Sequence, residues 1–211
     1  MNPHLSDGSL LAAIDLGSNS FHLAIARLDH GEVRRIDSLS DKVQLGAGFD
    51  KDNNLSHEAQ ERALACLARF AQRLQAIPLK RLRIVATNAL RQANNASLFI
   101  EQAEHILKKR IEIVAGREEA RLIYLGVSQT LADAGRRLVV DIGGGSTEFI
   151  IGENFEPLAT ESLQMGCVAY TQRFFADGSI SAKALNKAIM AARQEVMVLR
   201  SEEHTSRSHG I

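Results

Sequence analysis

Asp15-Leu16-Gly17-Ser18-Asn19-Ser20 and Asp141-Ile142-Gly143-Gly144-Gly145-Ser146-Thr147 share one pattern: an aspartate closing an apolar run, a glycine two residues on, then side chains that donate hydrogen bonds. Each is suited to gripping phosphate. Glycine directly after a strand lets backbone N–H groups approach an anion with no Cβ in the way, and Ser, Asn and Thr add donors. The two aspartates would repel a phosphate themselves. At a strand end they suit Mg2+, which bridges a carboxylate to a phosphate oxygen. One Asp-x-Gly reads as an ordinary hairpin turn. Two copies 126 residues apart, each with a serine at the same later offset, point to a duplicated phosphate-binding device. Other phosphate-binding patterns fail: no GxxxxGK[ST] occurs, and Gly46-Ala47-Gly48 lacks a third glycine at dinucleotide-binding spacing.

The elements that must hold these turns follow from periodicity. Leu11 to Leu16 is a short apolar run, and Phe21, Leu23 and Ile25 alternate after the turn, so two strands are expected. A third strand follows at Glu32 to Ser38. Ser56 supplies an N-cap, and Ala63, Leu64, Leu67, Phe70, Ala71, Leu74 and Ile77 recur at helical spacing until Pro78. Beyond it come a strand at Leu82 to Thr87, a helix at Leu98 to Lys109, a strand at Ile111 to Val114 and a helix from Arg117 to about Ala134. The second copy repeats the start: strands at Leu138 to Asp141, Thr147 to Gly152 and Leu158 to Gln164, then a helix at Ala182 to Leu199. Leu163-Gln164-Met165-Gly166 echoes Val43-Gln44-Leu45-Gly46 at the end of each third strand. The expected organisation is a first domain over 1–134, the start of a second over 135–199, and a polar tail at 200–211. That tail resembles a translated sequencing adaptor and is left out of the fold reading.

The composition is that of an ordinary globular chain: 211 residues, 45% apolar, 24% charged, with 25 Lys and Arg against 25 Asp and Glu. Zero formal net charge gives no overall attraction to nucleic acid or to an anionic membrane, so no nucleic-acid partner is expected. Cys66 and Cys167 form neither a disulfide framework nor a zinc spacing. With no signal peptide or membrane span, a cytoplasmic location is expected, peripheral association with an inner membrane being left open.

Four motifs in order then carry a resemblance. They are Ala13 to His22, Ala86-Thr87-Asn88-Ala89-Leu90-Arg91, Gly116-Arg117-Glu118-Glu119-Ala120-Arg121-Leu122 and Asp141 to Glu148. Together they resemble the exopolyphosphatase / guanosine pentaphosphate phosphatase family, within the actin, sugar kinase and heat-shock chaperone ATPase superfamily. The resemblance runs from about Ala12 to Leu199, the N-terminal part of such proteins. Gly152 to Pro157 and Met165 to Val168 lean towards the enterobacterial-type exopolyphosphatase branch.

The resemblance implies an α/β fold: a duplicated ribonuclease H-like (actin-like ATPase) unit with a mixed five-stranded sheet and flanking helices, the second copy truncated. It implies that Glu119 activates the attacking water and that Arg91, in the loop after the Leu82 to Thr87 strand, clamps the terminal phosphoryl group. Gly17, Ser18, Asn19, Ser20 and Gly143, Gly144, Gly145, Ser146, Thr147 would bind phosphate, while Asp15, Asp141 and Glu148 would hold Mg2+. A carboxylate in the first turn of a helix stays ionised and is only a modest base, which suits a positioned water. Neighbouring helix residues point about 100° apart, so Glu118 is expected to be structural. The implied activity is Mg2+-dependent hydrolysis of the end phosphoanhydride of inorganic polyphosphate, releasing orthophosphate, by a homodimer at full length. Guanosine pentaphosphate is the alternative substrate. A basic stretch of Lys80, Arg81, Arg83, Arg91, Lys108, Lys109 and Arg110 suits either polyanion. A small-molecule kinase and a non-catalytic actin-like module stay open as more distant alternatives.

Overall fold

In a computed structural model of the chain, residues 6–131 and 135–206 are described; side chains are described to residue 199, and the far end of the polar tail lies outside the described residues. Contacts divide the chain into two units, 1–114 and 115–211.

In the first unit, β1 (Leu10–Leu16), β2 (Phe21–Asp29) and β3 (Glu32–Asp41) form an antiparallel meander, because apolar residues alternate along β1 and β2 and the connections are short. Two further strands, β4 (Leu82–Ala86) and β5 (Glu112–Ile113), then add in parallel to the free side of β1, giving a five-stranded sheet of order β3-β2-β1-β4-β5. The helices α1 (His57–Arg73), α2 (Asn88–Gln92) and α3 (Ala96–Leu107) connect these strands. The Ser56 hydroxyl caps α1 by accepting from the Ala59 N–H at 3.3 Å. Its apolar stripe, Ala63, Cys66, Leu67 and Phe70, is buried in one core with Ile14, Leu16, Phe21, Leu23, Ile84 and Phe99.

The second unit opens with α4 (Gly116–Thr130), then β6 (Arg136–Ile142), β7 (Thr147–Glu153) and β8 (Glu156–Leu163) in an antiparallel sheet of that order, then α5 (Cys167–Phe174) and α6 (Ala182–Ser206). Its core is small: Ala120, Tyr124 and Ile150, with Ile123 and Val139 against them.

Three features differ from the sequence reading. The helix expected to end near Ala134 stops at Thr130; residues 132–134 lie outside the described residues. It packs on β7 and β8, and by contacts it groups with them in the unit that starts at Ala115. The reason is local: Gly152 leaves room for the Tyr124 ring, which an added Cβ would meet at 2.1 Å, and the Tyr124 hydroxyl donates to the Asn154 carbonyl at 3.1 Å. Third, the structure adds two short helices. Arg91, expected in a loop, lies in α2, and α5 follows Gly166. Among the described residues, no helix is long and apolar enough to cross a membrane.

Candidate phosphate-binding turns and active-site residues

The two turns are built alike. A Cβ on Gly17 would come within 2.8 Å of the Ser20 carbonyl oxygen, and one on Gly143 within 3.1 Å of that of Ser146. Neither glycine has a positive φ. The hairpin itself therefore leaves no room for a side chain at Gly17 and only tight room at Gly143.

Carbonyl bonding sets the peptide planes. In the first turn the Ser18 carbonyl accepts from the Gly46 N–H at 2.8 Å and the Asn19 carbonyl from the Gln44 N–H at 2.7 Å. In the second, the Gly143 carbonyl accepts from the Cys167 N–H at 2.9 Å, and the Gly144 carbonyl from Val168 at 2.9 Å and Ala169 at 3.1 Å. A trans peptide points its N–H opposite to its C=O. The N–H groups of Asn19 and Ser20 thus face away from the Gln44–Gly46 segment, and those of Gly144 and Gly145 face away from α5. Two successive N–H groups turned to one side are the elements of an anion-binding nest. The arrangement also satisfies the first N–H groups of α5, whose Gly166 N-cap contributes no side chain.

The side chains divide between structural and chemical work. The Ser18 hydroxyl, 5% exposed, accepts from the Ala89 N–H at 3.1 Å, which draws α2 and Arg91 to the first turn. Arg91 also donates to the Val114 carbonyl at 2.7 Å. Thr147, one of the expected phosphate ligands, is 3% exposed and its hydroxyl donates to the Met165 carbonyl. Its hydroxyl hydrogen is therefore committed inside the fold, where it ties the start of β7 to the end of β8.

Asp141 and Glu148 are direct partners across β6 and β7, so both side chains leave the same face of the sheet. Asp141 is exposed; Glu148 is 1% exposed, and the Ser162 hydroxyl donates to it at 2.8 Å. Ile150 and Gly152, two and four residues along β7, continue this face under α4. Ala120 shares a cluster with Ile150 while Tyr124 lies on Gly152, so α4 runs along β7 with its N-terminus at the Glu148 end. Arg117 agrees, reaching Glu161 opposite Phe149 at 2.6 Å. Glu119 sits in that first turn, half-buried, and Glu118 makes a two-pronged pair with Arg121 at 2.8 Å. Glu119, Asp141, Glu148 and the second turn thus share one end of the second unit; Asp15, the first turn and Arg91 share one end of the first.

Among the described residues, no group of three or more His, Cys, Asp or Glu is gathered as a metal cage. Mg2+ does not require one: it commonly takes one or two carboxylates and completes its shell with water and substrate phosphates. A same-face pair of hard oxygen donors beside a phosphate turn, as Asp141 and Glu148 form, fits that ion.

The sheet order β3-β2-β1-β4-β5, its meander repeated in β6-β7-β8, defines a duplicated α/β protein of the ribonuclease H-like, actin-like ATPase class. The family model described as the Ppx/GppA phosphatase family matches residues 24–209, and the chain belongs to that family. Relatives from Aliivibrio fischeri and Vibrio cholerae, both named guanosine-5'-triphosphate,3'-diphosphate pyrophosphatase, are 50% and 51% identical to it over 185 residues, 88% of this chain and 37% of theirs. The chain thus spans under two fifths of the length of these curated relatives. An exopolyphosphatase from Cytophaga hutchinsonii superposes with a TM-score of 0.85 at 27% identity, over 93% of this chain and 64% of that one. The Aquifex aeolicus PPX-GPPA enzyme gives 0.73 at 28%, over 90% and 64%. The lean of the sequence reading towards the exopolyphosphatase branch is thus less well supported than its guanosine pentaphosphate alternative. Segments as short as Gly152 to Pro157 sample little of what separates two branches of one fold.

Proposed function

We propose that this chain forms the phosphate-gripping part of a phosphohydrolase that removes the terminal phosphoryl group from the 5'-triphosphate of guanosine pentaphosphate. The observation that carries the reading is the repeated turn, with two successive N–H groups held to one side in each copy by carbonyl bonds, to Gln44 and Gly46 in the first and to the start of α5 in the second. The substrate is taken from the names of the relatives at about half identity.

In this reading each turn offers phosphate oxygens its own pair of N–H groups, Asn19 and Ser20 in the first unit and Gly144 and Gly145 in the second, and Arg91 adds a guanidinium beside the first turn. Asp141 and Glu148 would hold Mg2+ at the second turn, with Asp15 the matching carboxylate at the first; the ion would supply neutralisation of phosphate oxygens. Glu119 accepts a proton from water as the water oxygen attacks the terminal phosphorus. The bond from that phosphorus to the bridging oxygen breaks, orthophosphate leaves, and the guanosine tetraphosphate keeps the bridging oxygen. Exopolyphosphatase activity is the second reading, favoured by the Cytophaga neighbour's name and by the basic residues between Lys80 and Arg110.

Phosphate release from guanosine pentaphosphate, from inorganic polyphosphate and from ATP with candidate acceptors tests the proposal. Release chiefly from the pentaphosphate supports it. Release chiefly from polyphosphate moves the protein to the second reading, and stoichiometric transfer from ATP to an acceptor refutes both.

A further inference from the structure

Ser18 and Gly144 hold the same place in the two turns, directly after Gly17 and Gly143, yet one carries a hydroxyl and the other no side chain. The difference follows the helix that each turn supports. In the second turn the Gly144 carbonyl accepts from the Val168 and Ala169 N–H groups at 2.9 and 3.1 Å, so backbone alone serves the start of α5. In the first turn the Ser18 carbonyl is taken by the Gly46 N–H at 2.8 Å. The side chain acts instead, its Oγ accepting from the Ala89 N–H at 3.1 Å. Ala89 is the second residue of α2, and the Thr87 N-cap makes no side-chain bond of its own. Ser18, 71 residues away, thus does the work of an N-cap. Ala89 is 1% and Ser18 5% exposed, so water cannot take over that bond.

A helix of five residues cannot hold itself, so its tertiary bonds decide where its side chains stand. The Arg91 N–H donates to the Thr87 carbonyl at 3.1 Å, which makes Arg91 part of the very turn of helix that Ser18 caps. We propose that Ser18 is a positioning residue that acts on a bound phosphate through Arg91, and that its hydroxyl is not itself a phosphate ligand. This rests on the reading above that Arg91 serves phosphate, and it changes the role that the family resemblance implies for Ser18. The second turn supports it, since a glycine stands at the equivalent position where the helix is capped by backbone. The anion donors of the first turn are then its Asn19 and Ser20 N–H groups, which the carbonyl bonds to Gln44 and Gly46 hold independently of the hydroxyl. Without the Ser18 oxygen, the turn keeps these donors and loses the arginine beside them.

A double-mutant cycle of the intact chain tests this, with Ser18→Ala, Arg91→Ala and the pair compared with the parent. Calorimetric titration with inorganic triphosphate reads affinity, and phosphate release from guanosine pentaphosphate reads turnover. Ser18→Ala should weaken triphosphate binding about tenfold in the parent and less than about twofold in the Arg91→Ala chain. Amide hydrogen exchange followed by NMR should show the Ala89 N–H exchanging at least about tenfold faster in Ser18→Ala, while the Gln44 N–H, which holds the turn, keeps its protection. Should Ser18→Ala not fold, Ser18→Cys, whose sulfur accepts only weakly, takes its place in the cycle. Equal losses of affinity in the two backgrounds would mark Ser18 as a direct ligand and overturn the proposal, as would unchanged exchange at Ala89. A parent that binds triphosphate with this coupling but releases no phosphate from the pentaphosphate would remove the hydrolytic reading and leave the positioning role standing. A parent that binds no triphosphate would overturn both.

Discussion

Gly166 lies so close to Gly144 that a methyl group placed on it would sit 2.4 Å from the Gly144 carbonyl carbon and oxygen. The first unit repeats the relationship more loosely, with a methyl on Gly46 meeting the Ser18 Cβ at 3.2 Å. In each copy, the glycine that ends the Gln-containing echo is the seat on which the phosphate turn rests.

Gly166→Ala should therefore cost roughly 2–3 kcal/mol, since the obstacle is backbone and has no rotamer to change. Gly46→Ala should cost about 1 kcal/mol or less. Urea unfolding of both variants checks the order. Equal losses would mean that the contact at Gly166 relaxes freely.

Glu119→Gln should lower turnover of guanosine pentaphosphate by about 10²- to 10⁴-fold, the usual worth of a positioned base, while substrate binding holds. Glu118→Gln should change turnover little, because its carboxylate is occupied by Arg121. Initial rates and equilibrium dialysis separate the two effects, and a Glu119→Gln chain with unimpaired turnover would remove the assigned base.

Thr147→Val keeps the shape of the side chain and deletes the hydroxyl that bonds the Met165 carbonyl. The expected loss is about 1–3 kcal/mol, the range for stranding a buried polar partner. Thermal melting provides the measurement. A variant as stable as the parent would mean that the hydroxyl does not hold β7 to β8.

The Cys66 thiol is pushed up to about 12, chiefly by burial and then by its hydrogen bond to Asp41. The thiolate is the reactive form, and a raised value keeps Cys66 protonated, hence inert, throughout the neutral and mildly alkaline range. Iodoacetamide at about pH 8 should label Cys167, which is exposed, and spare Cys66 until the chain is unfolded. Peptide mass spectrometry reads the outcome, and labelling of Cys66 in the native chain would contradict its burial.

Much of the fold was legible because its signals are local. The alternation Phe21, Leu23, Ile25 marks a half-buried strand wherever it occurs, and Ser56 before a helical stripe caps it in any context. The helix α2, five residues long, and α5, with no side-chain N-cap bond, are too short to show a period, so they escaped. In sequence, therefore, Arg91 reads as a loop residue and Gly166 only as an echo of Gly46.

The residues alone determined that two similar Asp-x-Gly hairpins exist, that strands flank them, and that Glu119 opens a helix, since each rests on residue types a few positions apart. Tertiary structure decided the rest. It sent α4 to the second sheet through Tyr124 and Gly152 and turned the Thr147 hydroxyl inward to the end of β8. These depend on contacts between residues distant in the chain, and a pattern read within a window of a few turns carries no information about which distant surface will fill the space beside it.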